Sequence, residues 1–269
     1  MNLHTNIRMP AVAGSFYPGD STELSSSVQM YLDNTDTLTN QSRPLAMIVP
    51  HAGYIYSGPV AASGYAQLIP FARQISRVVL LGPSHRVPVL GIASSARNYF
   101  QTPLGDIPLD GDAISQLNQL PFVQENEQAH SQEHSLEVQL PFLQKILPDF
   151  KLVPLVLGQV SDQQVEQVIE MLWHQQDTLF LLSSDLSHYL DYDRARECDQ
   201  ATCNAIEQLS PQTIHYEQAC GRSAIAGMLL SAKKHDLQVK TLDLRNSGDT
   251  AGPKDRVVGY GCWTFTGKD

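Results

Sequence analysis

Six short runs are apolar almost from end to end: LAMIVP (45–50), SRVVLLG (76–82), LGIAS (90–94), KLVPLVLG (151–158), TLFLLSS (178–184) and RVVGYGCWTF (256–265). A strand with one wet face alternates apolar and polar side chains, so runs that do not alternate read as strands covered on both faces. Helix-like segments lie among them, at 21–32, 59–68, 112–120, 134–147, 161–174, 194–209 and 222–235. Within 161–174, Val165, Val168, Ile169 and Leu172 recur at three- and four-residue steps and form a stripe suited to a sheet face. Asp162, just after Ser161, marks its start. Strands alternating with helices predict a single α/β domain over 1–269, with a mixed, largely parallel central sheet flanked by helices. The stretch 99–110, with Pro103, Gly105 and Pro108, reads as an irregular excursion able to line a site.

Charge narrows the function. Eighteen basic against 28 acidic residues give a net charge of −10, which disfavours a nucleic-acid-binding face and docking on anionic membranes. No apolar run approaches the roughly 20 residues that span a bilayer. The N-terminal residues lack a charged start followed by an apolar stretch, so no signal peptide is read. Cys198, Cys203, Cys220 and Cys262 form no CxxC pair, and a reducing cytoplasm is the expected location.

Three histidines share one context. His51 follows LAMIVP, His85 follows VVLLGPS and His188 follows LFLLSSDLS, each just past a buried strand. In open α/β sheets ligands bind in the crevice beyond the strand ends. Neutral imidazole is a common ligand for iron, zinc and copper, and two histidines with one carboxylate leave coordination positions open, as in non-haem Fe(II) oxygenases. Each ring alone reads better as an ordinary loop or core histidine; the trio favours a shared site. In SSDLSH (183–188), Asp185 stands three residues before His188, placed to orient an imidazole while His188 serves as general base. The same residues also suit a helix N-cap. In HSQEHSLEVQLPFL (130–143), His130 and His134 are four apart, but the metalloprotease pattern HExxH is absent. His134 is kept as a pocket residue and His130 is not. NSGDTAG (246–252) reads as a turn, and Asp249 within it supplies an anionic ligand if the turn folds back to the same edge. Gly53 and Gly58 are expected to let the backbone turn tightly beside His51. There is no GK[ST] phosphate loop and no GxSxG nucleophile elbow.

With those residues named, the chain resembles the Memo family, which accompanies a radical-SAM enzyme in many prokaryotes. The motifs are AVAGSFYP (11–18), VPHAGYIYSG (49–58), LLGPSH (80–85), EHSLEVQLPFL (133–143), SSDLSHY (183–189) and RVVGYG (256–261). The resemblance implies a fold similar to class III extradiol dioxygenases, with metal ligands at the positions of His51 and His85. It makes His188 the counterpart of the dioxygenase acid/base. Animal members place a cysteine ligand before the last strand, where this chain has Asp249-Thr250. The ligand set expected is therefore His51, His85 and Asp249, with His188, Asp185 and His134 as catalytic residues. The metal expected is divalent, Fe(II) first and Zn or Cu as alternatives.

Two functions follow. One is a dioxygenase-like oxidoreductase acting on a small substrate. The other is a non-enzymatic partner protein that holds a peptide or small ligand in the same pocket. Radical-SAM system proteins are expected among its partners on the strength of the resemblance. A zinc hydrolase is disfavoured, because no standard zinc-hydrolase spacing is present.

Overall fold

A computed structural model describes residues 6–36, 42–173 and 177–268. The first half runs β1 (Ile7–Arg8), α1 (Ser21–Asp33), β2 (Ala46–Val49), α2 (Tyr54–Tyr65), β3 (Arg77–Pro83), β4 (Ile92–Ser94), β5 (Tyr99–Thr102), β6 (Gly105–Pro108), α3 (Gly111–Leu117), β7 (Val123–Glu125) and α4 (Glu127–Ser131). The second runs α5 (Leu140–Ile146), β8 (Lys151–Leu157), α6 (Asp162–Leu172), β9 (Thr178–Ser183), β10 (His188–Leu190), α7 (Tyr192–Glu207), α8 (Arg222–Lys234), β11 (Gln238–Asn246), α9 (Ser247–Thr250) and β12 (Val257–Thr266).

Nine strands make the main sheet in the order β10-β12-β2-β9-β3-β8-β4-β7, with β11 also pairing β12. The inner strands β2, β9, β3 and β8 are parallel neighbours. β12 runs antiparallel to β2, and β4 antiparallel to β8. Every residue of β2 and β9 is buried, as their unbroken apolar sequence requires. Helix α8 packs on β3 and β9 and carries α6 against it, while α2 packs on β2 and β12 beside α1. The fold is thus α/β, with a mixed sheet flanked by helices. In α6 a capping box of Ser161 and Gln164 sets the start, and Val165, Val168, Ile169 and Leu172 are buried as the stripe predicts. His174, the predicted end of that helix, lies outside the described residues. Among the described residues no helix is long and apolar enough to cross a membrane.

The fold departs from expectation where long-range contacts override local signals. Residues 99–110 are not irregular: β5 and β6 form a hairpin whose turn holds Gly105 at φ 122, and β5 pairs with β1. α2 begins at Tyr54 rather than at Pro59, because the Tyr54 amide is anchored to the Phe16 carbonyl at 2.8 Å. The predicted helix over 134–147 starts only at Leu140, with Pro141 in its first turn, and His134 lies in the connection ahead of it. β11 escapes the apolar-run reading because it is half-buried and carries Lys240, Asp243 and Arg245. Gly58 meets the Tyr31 ring, where a Cβ would lie 2.8 Å from Cε2, so its size serves helix packing and not the site. Gly53 has φ −56 and ordinary surroundings.

Candidate metal centre

Three adjacent parallel strands end at nearly one level. Val49 of β2 pairs with Ser183 of β9, and Leu182 of β9 with Leu81 of β3. The residues that follow them therefore meet: His51 after β2, Asp185 and His188 after β9, His85 after β3. A further ring, His134, arrives from the connection between α4 and α5. Gly82 admits that connection, since a Cβ there would stand 2.8 Å from Ser135 Oγ. The His51 ring centre lies 5.2 Å from His85 and 5.5 Å from His134, and His85 stacks on His134 at 4.6 Å. One donor atom from each ring falls within 4.8 Å of the others.

Hydrogen bonds aim the rings. The His85 Nδ1–H donates to Glu133 Oε1 at 2.9 Å, which leaves Nε2 as a free lone pair. Glu133 is buried and also accepts the backbone N–H groups of His85, His134 and Ser135. Ser183 Oγ donates to the Ser135 carbonyl at 2.6 Å, so it must accept from His51 Nδ1 at 2.9 Å. His51 Nε2 is then unprotonated, and the Cys220 thiol lies 3.3 Å from it. Among the described residues His134 Nδ1 is buried with no hydrogen-bond partner, although Glu133 Oε1 lies 3.4 Å from it.

Burial works against charge on two of the rings. Burial, followed by the neighbouring His85, lowers the His51 pKa to about 3. Burial, followed by His51, lowers His134 to about 4. Burial alone would raise Glu133, but the bonds it accepts from His85 and Ser135 win and hold it at about 2. Asp185 moves the other way: burial raises it, although its Oδ1 accepts the His51 N–H at 2.7 Å. Burial also pushes the Cys220 thiol up to about 12. At neutral pH His51 and His134 are therefore unprotonated, the form in which histidine binds a metal, and the bond from His85 Nδ1 to Glu133 leaves the His85 Nε2 facing the other two rings. This donor set, with one orphaned ring nitrogen, fits a divalent transition metal.

Above the rings opens a cavity of about 530 Å³. Phe16, 4.8 Å from His134, lines it together with Tyr56, Asp185, His188, Tyr189, Arg256 and Tyr260. Burial, then the charge of Asp185, pushes up the Tyr260 hydroxyl, which stays a proton donor. Phe16 belongs to a segment clamped from below. Glu137 is fully buried, pairs with Arg8, and accepts the Ala11 and Val12 amides at 2.7 and 2.9 Å and the Tyr17 hydroxyl at 2.6 Å.

Comparison with known proteins places the chain in a family. Residues 8–264 match the family described as Memo-like protein. The chain belongs to the Memo family. A MEMO1 family protein of Aquifex aeolicus (strain VF5) is 34% identical over 266 residues, which cover 94% of this chain and 97% of that one. A MEMO1 family protein of Saccharolobus islandicus (strain M.14.25 / Kamchatka #1) is 35% identical over 277 residues, with the same shares covered. Among solved structures, an uncharacterized protein from Escherichia coli K12 matches with a TM-score of 0.49 and 12% identity, covering 81% of this chain and 99% of that chain.

In this Memo-family chain the predicted site residues separate. His51 and His85 stand together, and His188 and Asp185 line the same cavity. His134, assigned from the sequence to polarise the pocket, instead joins the ligand cluster. Asp249 corrects the expected ligand set. Its carboxylate closes the capping box of α9 onto the Asn246 N–H at 3.0 Å and accepts the Tyr192 hydroxyl at 2.6 Å, facing the groove along α7 rather than the rings. The reason is local: a capping box satisfies the acid within its own turn, so nothing draws that turn's carboxylate into the pocket. His130, set aside from the sequence, is buried against Phe100 and bonded through Nε2 to the Ala93 carbonyl at 3.1 Å. Glu133, Ser183 and Cys220 were missed as site residues. Only Glu133 carried a signal, as an acid directly beside a pocket histidine.

Proposed function

We propose that this Memo-family chain is a divalent-metal oxidoreductase acting on a small substrate, with His51, His85 and His134 as the metal ligands. The observation that carries it is the convergence of three imidazoles at the floor of an open cavity, two of them locked in the tautomer that exposes Nε2. Fe(II) is the first candidate and a tri-imidazole set also suits Zn and Cu. A metal so held supplies Lewis-acid polarisation of a substrate oxygen and, for iron or copper, one-electron chemistry.

The protein's own groups do the rest. His188, half-buried on the cavity wall, takes or returns a proton at its ring nitrogen. Asp185 holds the His51 backbone in place through the His51 N–H. Phe16 covers His134 and excludes water from that side of the rings.

The test is elemental analysis of untagged protein purified without oxygen. Wild type should carry near-stoichiometric transition metal, and His51→Ala, His85→Ala and His134→Ala should lose it. Asp249→Asn should retain it. Absence of bound metal, together with failure to take up added Fe(II) while all three histidines are intact, sinks the proposal. Metal lost from Asp249→Asn but kept in His134→Ala would restore Asp249 as the third ligand.

A further inference from the structure

The cavity above the histidines contains one side chain of fixed positive charge, Arg256. Among the described residues it has no carboxylate partner; its guanidinium lies over the Tyr189 ring, 5.0 Å from the centroid. Asp185, the one acid lining the cavity, is committed elsewhere, with Oδ1 on the His51 N–H and Oδ2 3.9 Å from His51 Nε2. On a chain of net charge −10, a cation without a carboxylate partner at a cavity mouth is a local attraction for anions.

Tyr189 adds a second, independent observation. It has φ 60 and is 64% exposed, so a bulky aromatic is held at the wall in a backbone region that side chains with a Cβ avoid. Such strain persists where the surroundings enforce it, and it gathers at ligand clamps. Its ring also meets that of His188 at 5.8 Å, so cation, aromatic plate and histidine form a continuous run down one wall. Phe16, Tyr56 and Tyr260 add further aromatic rings to the lining.

We propose that Arg256 is the specificity-determining residue of this cavity, and that the ligand is a small planar molecule whose carboxylate pairs with Arg256. Its flat body lies on the aromatic lining, and its other end reaches the histidines. A carboxylate fits better than a phosphate. One guanidinium fork matches one carboxylate, whereas a dianion calls for more donors, and the lining contains no lysine. The inference deepens the oxidoreductase reading and rests on it for the location of the substrate site.

The experiment compares benzoate with benzamide, which have nearly the same shape but differ in charge, by calorimetric titration of the protein as purified. Wild type should bind benzoate about tenfold more tightly, the size of one charge-assisted pair. Arg256→Gln should erase the preference, and Arg256→Lys should keep part of it, since the charge survives and the fork does not. Chelator-treated wild type separates the two readings: it carries no metal and should keep the preference. A preference lost on chelation but unchanged in Arg256→Gln would assign the anion to the metal and overturn the role of Arg256. Equal affinities, or no saturable benzoate binding to wild type, would also overturn it. Wild type that carries no metal as purified yet prefers benzoate through Arg256 would break the metal reading alone.

Discussion

Glu133 and Glu137 stand four residues apart, both almost wholly buried and both satisfied by several donors, yet they serve different regions. Glu137 gathers Arg8, two backbone amides and the Tyr17 hydroxyl, and so pins the N-terminal segment across the body of the protein. Glu133 gathers the amides of its own connection and the ring and amide of His85, and so aims one ring of the histidine cluster. Arg8 touches both regions, donating to the carbonyls of His130 and Glu133 at 3.0 and 2.7 Å. Burial and charge are alike in the two acids. What separates structure from function is the second job of each partner: Arg8 and Tyr17 only hold, whereas His85 also presents a lone pair.

The largest effect that would break this contrast is on stability. Glu137→Ala leaves Arg8 buried and uncompensated, and should cost about 3–5 kcal/mol in urea denaturation. A loss below about 1 kcal/mol would show that the clamp is not structural. Next comes Glu133→Gln, which keeps the shape but weakens the hold on His85. Metal affinity, measured by chelator competition, should fall about 10- to 100-fold, with a smaller loss of stability than in Glu137→Ala. Equal destabilisation with unchanged affinity would erase the distinction between the two acids.

Mild acid, down to about pH 6, gives the smallest effect. The folded pKa values of His51 and His134 lie at about 3 and 4, below the ordinary 6.5, so the unfolded chain binds protons that the folded chain refuses. Stability is full above that ordinary value and declines as pH falls toward the folded values. Between pH 7.5 and 6 each ring should cost slightly under about 1 kcal/mol. Glu133, depressed from 4.5 to about 2, contributes stability that is lost only as pH falls through that lower window. The histidines should thus fail before the carboxylate that aims them. A denaturation midpoint that stays flat from pH 7.5 to about 4.5 would contradict this order.

Much of this was legible in the sequence. Unbroken apolar runs announce two-sided burial, and a histidine after each of three such runs announces a shared edge once the strands are parallel neighbours. His134 was harder: its place depends on Gly82 letting a second connection approach β3, a contact between Gly82 and Ser135, far apart in the chain. Asp249 was misplaced for a related reason. A glycine-punctuated turn has many exits, and the local capping box decided its direction. The strained Tyr189 leaves no trace in composition, because positive φ at a tyrosine is imposed by neighbours.

The pairing of β12 with β2 has a consequence for the order of assembly. β2 leads into His51, and its outer edge is closed by β12, which carries residues 257–266. During synthesis that edge stays open until β12 has emerged, a row of bare amides and carbonyls that another nascent chain can pair with. The strand that leads into His51 is thus made early and flanked late. In this topology, proximity along the chain does little to hasten the site, and the β2 edge stays exposed to aggregation until β12 pairs with it.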